Sequence, residues 1–279
     1  MSVRIITDST SDLPGYLIEK YNITVVSLKV LFGEEEYRDG VDITNEEFYA
    51  KMARHKELPT TAQVNPGEFV EEFTKHVDQG DEIIGIFISS KLSGTYNSAV
   101  MAREIMNKGR VYVIDSNSAT FGLGLLVVEA AEMAAAGKSA EDIVQTIEIL
   151  KDQVQFYGVI DNLENLKKGG RLSATSAFAG SILGIKPIIS IKDGAVIVVG
   201  KARGRKKAFF WILENLKNNH VDLNNKRICI AQAAAPESLE EFKQIILKEY
   251  APKEIVVFSL GPVIGTHAGA GCIGISCLG

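Results

Sequence analysis

Four polar clusters and one histidine hold the residues with which this chain could do chemistry. The first, Asp8-Ser9-Thr10-Ser11-Asp12-Leu13-Pro14, follows an apolar run and offers two carboxylates and three hydroxyls. Its plain reading is a helix start, with Ser11 or Asp12 as the cap and Pro14 in the first turn. Its functional reading has Asp8 and Ser9 bracing a site from behind. The second, Pro59-Thr60-Thr61-Ala62-Gln63, offers neutral hydrogen bonds and neither a nucleophile nor a strong base. A loop followed by a helix cap explains it equally well. The third runs from Ser89 to Ser98 as SSKLSGTYNS, after an apolar run and at the start of a helical pattern. Free N–H groups at such a helix start attract a carboxylate or phosphate, and Ser93 and Gly94 let an anion approach the backbone. The stretch is not GxxxxGK[ST], and no GxGxxG occurs, so a nucleotide site is poorly supported.

The fourth cluster is Leu166-Lys167-Lys168-Gly169-Gly170-Arg171-Leu172-Ser173. The glycines end one helix and Ser173 can cap the next. Arg171 between them is either a solvated charge or a rigid fork reaching an anion. His267 lies in SLGPVIGTHAGAGCIGISCLG, Ser259 to Gly279, a run with six glycines and almost no charge. That run reads equally as a phosphate loop, a functional histidine or a flexible end. His55, His76 and His220 have no HxxxH spacing, so a metal site is not expected. Ser93, His267 and Asp115 compose a nominal triad for a hydrolase or small-molecule transferase, but no GxSxG elbow supports it.

The elements that must place these residues follow an α/β pattern. Strands are expected over 3–7, 24–31, 82–88 and 111–115. Helices are expected over 14–21, 44–53, 66–78, 93–106, 121–136 and 139–152, the last opening on the capping sequence Ser139-Ala140-Glu141-Asp142. This alternation implies a mostly parallel sheet covered on both faces. Residues 125–133 are apolar nearly all round, so that helix is deeply buried or lines a cavity. Beyond residue 153 the texture changes. Strands are expected over 156–160, 188–191, 195–200, 227–231 and 254–259, with Lys192-Asp193-Gly194 as a hairpin turn. Helices are expected over 162–168, 174–183, 205–218 and 237–249. The chain therefore divides into an α/β unit over 1–153 and a mixed-sheet α/β unit over 154–279.

Composition narrows the function. The 279 residues are 46% apolar and 23% charged, ordinary values for a globular protein. A net charge of −5 argues against a nucleic-acid partner. No apolar run reaches the roughly 20 residues of a membrane span. The opening MSVRIITDSTSD lacks a signal-peptide core, so a cytoplasmic location is expected. Cys229, Cys272 and Cys277 have no CxxC spacing and read as small buried hydrophobes.

Taken together, DSTSDLP, PTTAQ, SSKLSGTYNSA, LKKGGRLS, GIKPII and GPVIGTHAGAG resemble, in order and spacing, the bacterial DegV family over essentially the whole chain. The resemblance implies two α/β domains with one long-chain fatty acid bound between them. It further implies the fatty-acid-binding subunit of a fatty acid kinase, presenting the carboxylate to a separate ATP-dependent enzyme that makes acyl-phosphate for phospholipid synthesis. By the same resemblance the headgroup site falls on Thr61, Ser93, Arg171 and His267. Thr61 and Ser93 would bond the carboxylate, with the backbone at Ser93–Gly94 assisting. His267 would contact the headgroup from the second domain and engage the phosphate after transfer, while Arg171 would hold the network and supply positive potential. Asp8, Ser9, Thr60, Thr95 and Thr266 would support these from behind. No catalytic residue, metal or cofactor is implied, and transient membrane contact would serve lipid exchange.

The chain departs from the family's usual serine at Ala62 and its usual proline at Ala270. A neutral-polar clamp with one histidine and no general base fits binding better than turnover. The helices at 125–133 and 174–183 are candidate tunnel walls, with core packing an equal account of them. Lys201, Arg203, Arg205, Lys206 and Lys207 crowd a helix start, where the dipole disfavours cations. They form either a solvated loop or, through Arg203, Arg205 and Lys207, a docking patch for an acidic surface on the kinase. The rival function is a carrier or sensor of another amphipathic carboxylic acid without a kinase.

Overall fold

Strand β1 (Val3–Asp8) starts a four-stranded sheet completed by β2 (Thr24–Val26), β6 (Glu82–Phe87) and β7 (Val111–Asp115), in the order β2-β1-β6-β7 and parallel throughout. The computed structural model describes residues 2–173 and 184–279, so the helix expected over 174–183 lies outside them. β6 is buried along its whole length, as a central parallel strand covered on both faces must be. Its covers include α3 (Pro66–Val77) and α4 (Thr95–Met106), with α1 (Gly15–Tyr21) and α2 (Asn45–Arg54) completing the early helices. α2 and α3 each start on a reciprocal capping box, Thr44 with Glu47 and Asn65 with Glu68.

The expected strand over 24–31 is two strands in two sheets. The chain leaves β2, and β3 (Lys29–Phe32) pairs antiparallel with β4 (Glu35–Arg38) and β5 (Thr60–Ala62) in a small separate sheet. The Thr60-Thr61-Ala62 segment is thus an edge strand and not a loop. Neither Ser11 nor Asp12 caps α1. Ser9–Ser11 form a short 3₁₀ turn closed by Asp12 in the left-handed region (φ 50°), and α1 begins after Pro14.

The second sheet is mixed and six-stranded, in the order β10-β9-β8-β13-β11-β12. Its strands are β8 (Val154–Val159), β9 (Ile185–Lys192), β10 (Ala195–Arg203), β11 (Arg227–Gln232), β12 (Glu254–Ser259) and β13 (Ile273–Leu278). The β9–β10 hairpin turns at Asp193 and Gly194, both with positive φ (49° and 78°), as a two-residue turn between twisted strands requires. α8 (Arg205–Asn218) and α9 (Pro236–Glu249) pack on this sheet. The glycine-rich end is the main surprise. It holds a short helix, α10 (Pro262–Ala268), and then β13, which lies in the middle of the sheet between β8 and β11.

Helix α5 (Thr120–Ala135) joins the halves, followed by α6 (Ala140–Leu150), whose cap is Ser139 as expected. α5 touches β1 and β6 of the first sheet and β8, β11 and β13 of the second. That placement explains why residues 125–133 are apolar but for Glu129 and Glu132: they fill the space between two sheets. Arg227 of β11 fastens the same helix, reaching Glu129 and Glu132 of α5 at 2.7 and 2.6 Å and Glu254 of β12 at 2.7 Å. At the hairpin tip, Ser89 Oγ donates to the Gly194 carbonyl at 2.8 Å, a second tie between the halves.

Candidate functional site

Between the two sheets lies an apolar cavity with about 940 Å³ of space free of protein atoms, counting solvent at its mouth. The strands supply its walls by their two-residue period: Phe156 and Gly158 from β8, and Ile189 and Ile191 from β9, each pair on one face. Val196 adds to them from β10, and Phe121, the second residue of α5, stacks on Phe156 at 4.4 Å between centroids. Residues 125–133 do not line the cavity, so of their two expected roles they take core packing. The other expected wall, 174–183, falls outside the described residues.

One end of the cavity is polar. Thr61 projects from β5, Ser93 precedes α4, Arg171 follows α7 (Glu164–Lys168), and His267 ends α10; all four line the same space. His267 Nε2 lies 3.0 Å from Thr61 Oγ1, across 206 residues of sequence. Arg171 donates from Nε to the Leu92 carbonyl at 3.0 Å and from Nη1 to the Gly169 carbonyl at 2.6 Å. It therefore fixes the backbone immediately before Ser93 while its charge faces the cavity end. Ser93 Oγ lies 2.9 Å from Thr95 Oγ1 and accepts from the Thr95 amide at 3.3 Å.

Electrostatics make this end an acceptor of anions. Burial, aided by the Arg171 charge, lowers the His267 pKa to about 4, so the imidazole is neutral at physiological pH. Arg171 is then the charged side chain among those lining the cavity, beside neutral hydroxyls and an amide. The Ser93–His267–Asp115 trio is not a relay. Ser93 pairs with Thr95, His267 with Thr61, and Asp115 accepts from the backbone amides of Ser90 and Asn117. Among the described residues no group of His, Cys, Asp and Glu is arranged to hold a metal.

Thr61, Arg171 and His267 also line a second, open and polar cleft on the other side of this end. Its remaining walls include His55, Lys56, Glu57 and Thr60 on one side and Glu164, Asn165 and Lys168 on the other. The clamp residues thus stand where an apolar interior meets an open, polar cleft.

The other expected residues take varied places. Asp8 accepts from the amides of Thr10 and Ile88 at 2.9 and 2.8 Å, tying the ends of β1 and β6 together, and does not line the cavity. Ser9 accepts from the Leu28 amide at 3.1 Å. Gly94 carries the carboxamide of Gln63 directly over its Cα: a Cβ there would sit 2.0 Å from Gln63 Oε1. Thr266 is buried and donates to the Pro262 carbonyl at 2.9 Å inside α10, so its hydroxyl is used within the helix. Arg203 and Lys207 are exposed, whereas Arg205 turns inward to Asp161 and Ser238, each at 2.8 Å.

Gln63 of the PTTAQ cluster also lines the cavity, and one further polar lining residue, Thr120, escapes a reading by motif. Gln63 closes on Ser98 at 3.1 Å. Thr120 has φ 46°, a conformation that costs a β-branched residue roughly 1–3 kcal/mol and that no local sequence signal announces.

Two sheets thus enclose an apolar cavity whose polar end carries Arg171 among its lining residues. The comparisons with known proteins name the group. The model of the uncharacterised DegV family matches residues 2–279, and the chain belongs to that family. A DegV domain-containing protein of Caldanaerobacter subterraneus is 41% identical over 273 residues, 98% of this chain and 97% of the relative. A DegV family protein from Thermus thermophilus, described by its fatty acid binding, superposes with a TM-score of 0.93 at 33% identity, covering 100% of this chain and 99% of that one. A stearic-acid-binding protein from Eubacterium ventriosum gives 0.90 at 30% identity, covering 100% and 98%.

Proposed function

We propose that this protein binds one long-chain fatty acid, with the tail in the apolar cavity and the carboxylate held by Thr61, Ser93, Arg171 and His267. The observation that carries the reading is the meeting of these four side chains at one end of a cavity whose other walls are mostly apolar. The relatives described as fatty-acid binders support it. A sixteen-carbon tail has roughly 14 methylenes worth about 0.8 kcal/mol each when buried, so the tail supplies most of the affinity and the clamp sets direction. Denaturing mass spectrometry of the organic extract from purified protein tests this. A stoichiometric long-chain acid is expected, and an empty extract from protein that also fails to take up added stearate refutes it.

The protein is a substrate-presenting subunit and not itself an enzyme. The carboxylate it holds faces the open cleft between residues 55–61 and 164–171, where a separate ATP-dependent kinase would reach it. Arg203 and Lys207 form the docking patch for that kinase; Arg205, engaged with Asp161, serves the fold. Replacing Arg203 and Lys207 with glutamate should slow acyl-phosphate formation by a cognate kinase and leave fatty-acid affinity unchanged. Unchanged acyl-phosphate formation by the double variant removes the patch from the proposal. If no kinase of the same cell forms acyl-phosphate from the loaded protein, the carrier reading without a kinase replaces this one.

A further inference from the structure

The second sheet comes apart between β8 and β9. These strands pair antiparallel only at Gly158–Ile189 and Val159–Ile188. Among the described residues, Val154–Tyr157 pair with β13 alone and Ser190–Lys192 with β10 alone. The two ladders therefore part, and between them lies a cleft with about 1390 Å³ of space free of protein atoms, counting open solvent. Successive side chains of a strand point to opposite faces. Phe156 and Ile191 line the cleft from the cavity face, and Tyr157 and Ser190 from the face that carries α8, where Tyr157 meets Trp211 and Asn215. A gap lined from both faces passes through the sheet. Phe156 and Ile191 are also the residues that the cleft shares with the apolar cavity, so one side chain from each strand separates the two spaces. Thr61, Ser93, Arg171 and His267 do not line it, so it opens off the apolar part of the cavity and not off the clamp.

The charged lining of the cleft balances, Lys151 and Lys192 against Asp152 and Asp193, and the rest of its polar lining is hydroxyl and carboxamide. A neutral polar group suits such surroundings better than a methyl group or a second carboxylate. Ser118 offers that group a partner. It lines the cleft at 2% exposure, and its Oγ has no hydrogen-bond partner among the described residues. This hydroxyl adjoins the partition: the place a Cβ on Gly122 would occupy lies 2.3 Å from Ser118 Oγ and 3.1 Å from Phe156 Cδ2. A buried hydroxyl left unpaired carries a penalty that a ligand's hydroxyl removes. We propose that the cleft is a second mouth of the cavity and admits the far end of a long-chain ω-hydroxy acid, whose carboxylate is held in the clamp. The tail passes between Phe156 and Ile191, and its terminal hydroxyl bonds Ser118 Oγ. This rests on the fatty-acid reading and extends it to acids with a neutral polar group at the far end.

Trp211, the single tryptophan of the chain, lines the cleft and reports on it. The full chain, stripped of lipid, is titrated with plain and ω-hydroxy acids of fourteen, sixteen and eighteen carbons, by calorimetry and by Trp211 emission. Were the far end of the cavity closed and apolar, the added hydroxyl would weaken binding roughly five- to hundredfold. At least one hydroxy acid is expected to bind within about threefold of the plain acid of its length and to shift Trp211 emission. Ser190→Phe, which fills the cleft from the α8 face, should weaken that hydroxy acid at least about fivefold and leave the plain acid unchanged. Gln155→Phe decides the same point where Ser190→Phe does not fold. Hydroxy acids that all bind more than about threefold weaker, that leave Trp211 emission unmoved, or that keep their affinity in the phenylalanine variant overturn the proposal. If neither kind of acid binds, the fatty-acid reading fails and the second mouth with it; if only the plain acids bind, the second mouth alone fails.

Discussion

Gly169→Ala is a sharp test of the clamp, because it moves His267 without altering any polar group. Gly169 closes α7 with φ −74° and ψ −7°, values an alanine adopts freely. An added Cβ would, however, sit 2.3 Å from His267 Nδ1 and 2.8 Å from Cε1. Since unstrained contacts lie near 3.5 Å, the ring must retreat by about 1 Å. Retreat of that size takes Nε2, now 3.0 Å from Thr61 Oγ1, out of hydrogen-bonding range. The lost bond and the unpaired buried groups together cost about 1–3 kcal/mol. If half of that falls on the bound state, fatty-acid affinity drops roughly two- to tenfold. Titration with a fluorescent fatty acid, alongside thermal unfolding, reads both effects. Gly170→Ala is the matched control: its φ of 68° strains an alanine, yet nothing lies within 4 Å of the new Cβ. It should lose about 1 kcal/mol of stability and keep full affinity. Equal affinities for the two variants, or native affinity for Gly169→Ala, refute the argument that the imidazole position sets headgroup binding.

Further expectations concern charge and the tail. His267, held down to about 4, contributes stability that is complete above an unfolded value near 6.5 and lost as pH falls through 4. His267→Gln should therefore flatten that acid limb, by at most about 3 kcal/mol, in urea unfolding at a series of pH values. Asp8 and Asp39 act in the opposite sense. Raised to about 6 and about 7, they contribute stability that is complete below about 3.8 and lost as pH rises through those values. Stability that does not decline between pH ~5 and ~8 in a His267→Gln background would contradict this. Gly158→Val would push a side chain into the tail cavity, where a Cβ already meets Ile189 Cγ1 at 3.2 Å. Each methylene it excludes should lower affinity about fourfold, measured as the stearate-to-myristate ratio. Arg227→Met leaves Glu129, Glu132 and Glu254 together without their cation; urea midpoints should report a loss of about 2–4 kcal/mol.

The sheet-and-helix rhythm of the first half was readable because its helices announce themselves. Thr44 with Glu47 and Asn65 with Glu68 are capping boxes, and β6 is without a polar side chain from Ile83 to Phe87. β4 and β5 were not readable: three or four polar residues at a sheet edge carry no period. Nor was the break between β2 and β3, since Ser27-Leu28 lacks the Gly or Pro that usually marks one. β13 hides in GCIGISCLG because Gly274 and the cysteines weaken its apolar signal, while the burial that stabilises it comes from Phe121 packed over Gly274. At the site, motifs pointed to Thr61, Ser93, Arg171 and His267 one by one. Spacing in sequence says nothing about their meeting, which depends on α10 crossing from the second sheet to the small one.

The position of β13 has a consequence for assembly. β8–β10 and β11–β12 are two blocks of strands that touch each other only through β13. Until Ile273–Leu278 slots between them, the second sheet exists as halves, a non-local closure of the slow kind. α10 lies directly upstream on the same stretch of chain, so insertion of that strand also brings His267 to Thr61. The strand that joins the two blocks and the helix that carries His267 to Thr61 are therefore consecutive in the chain.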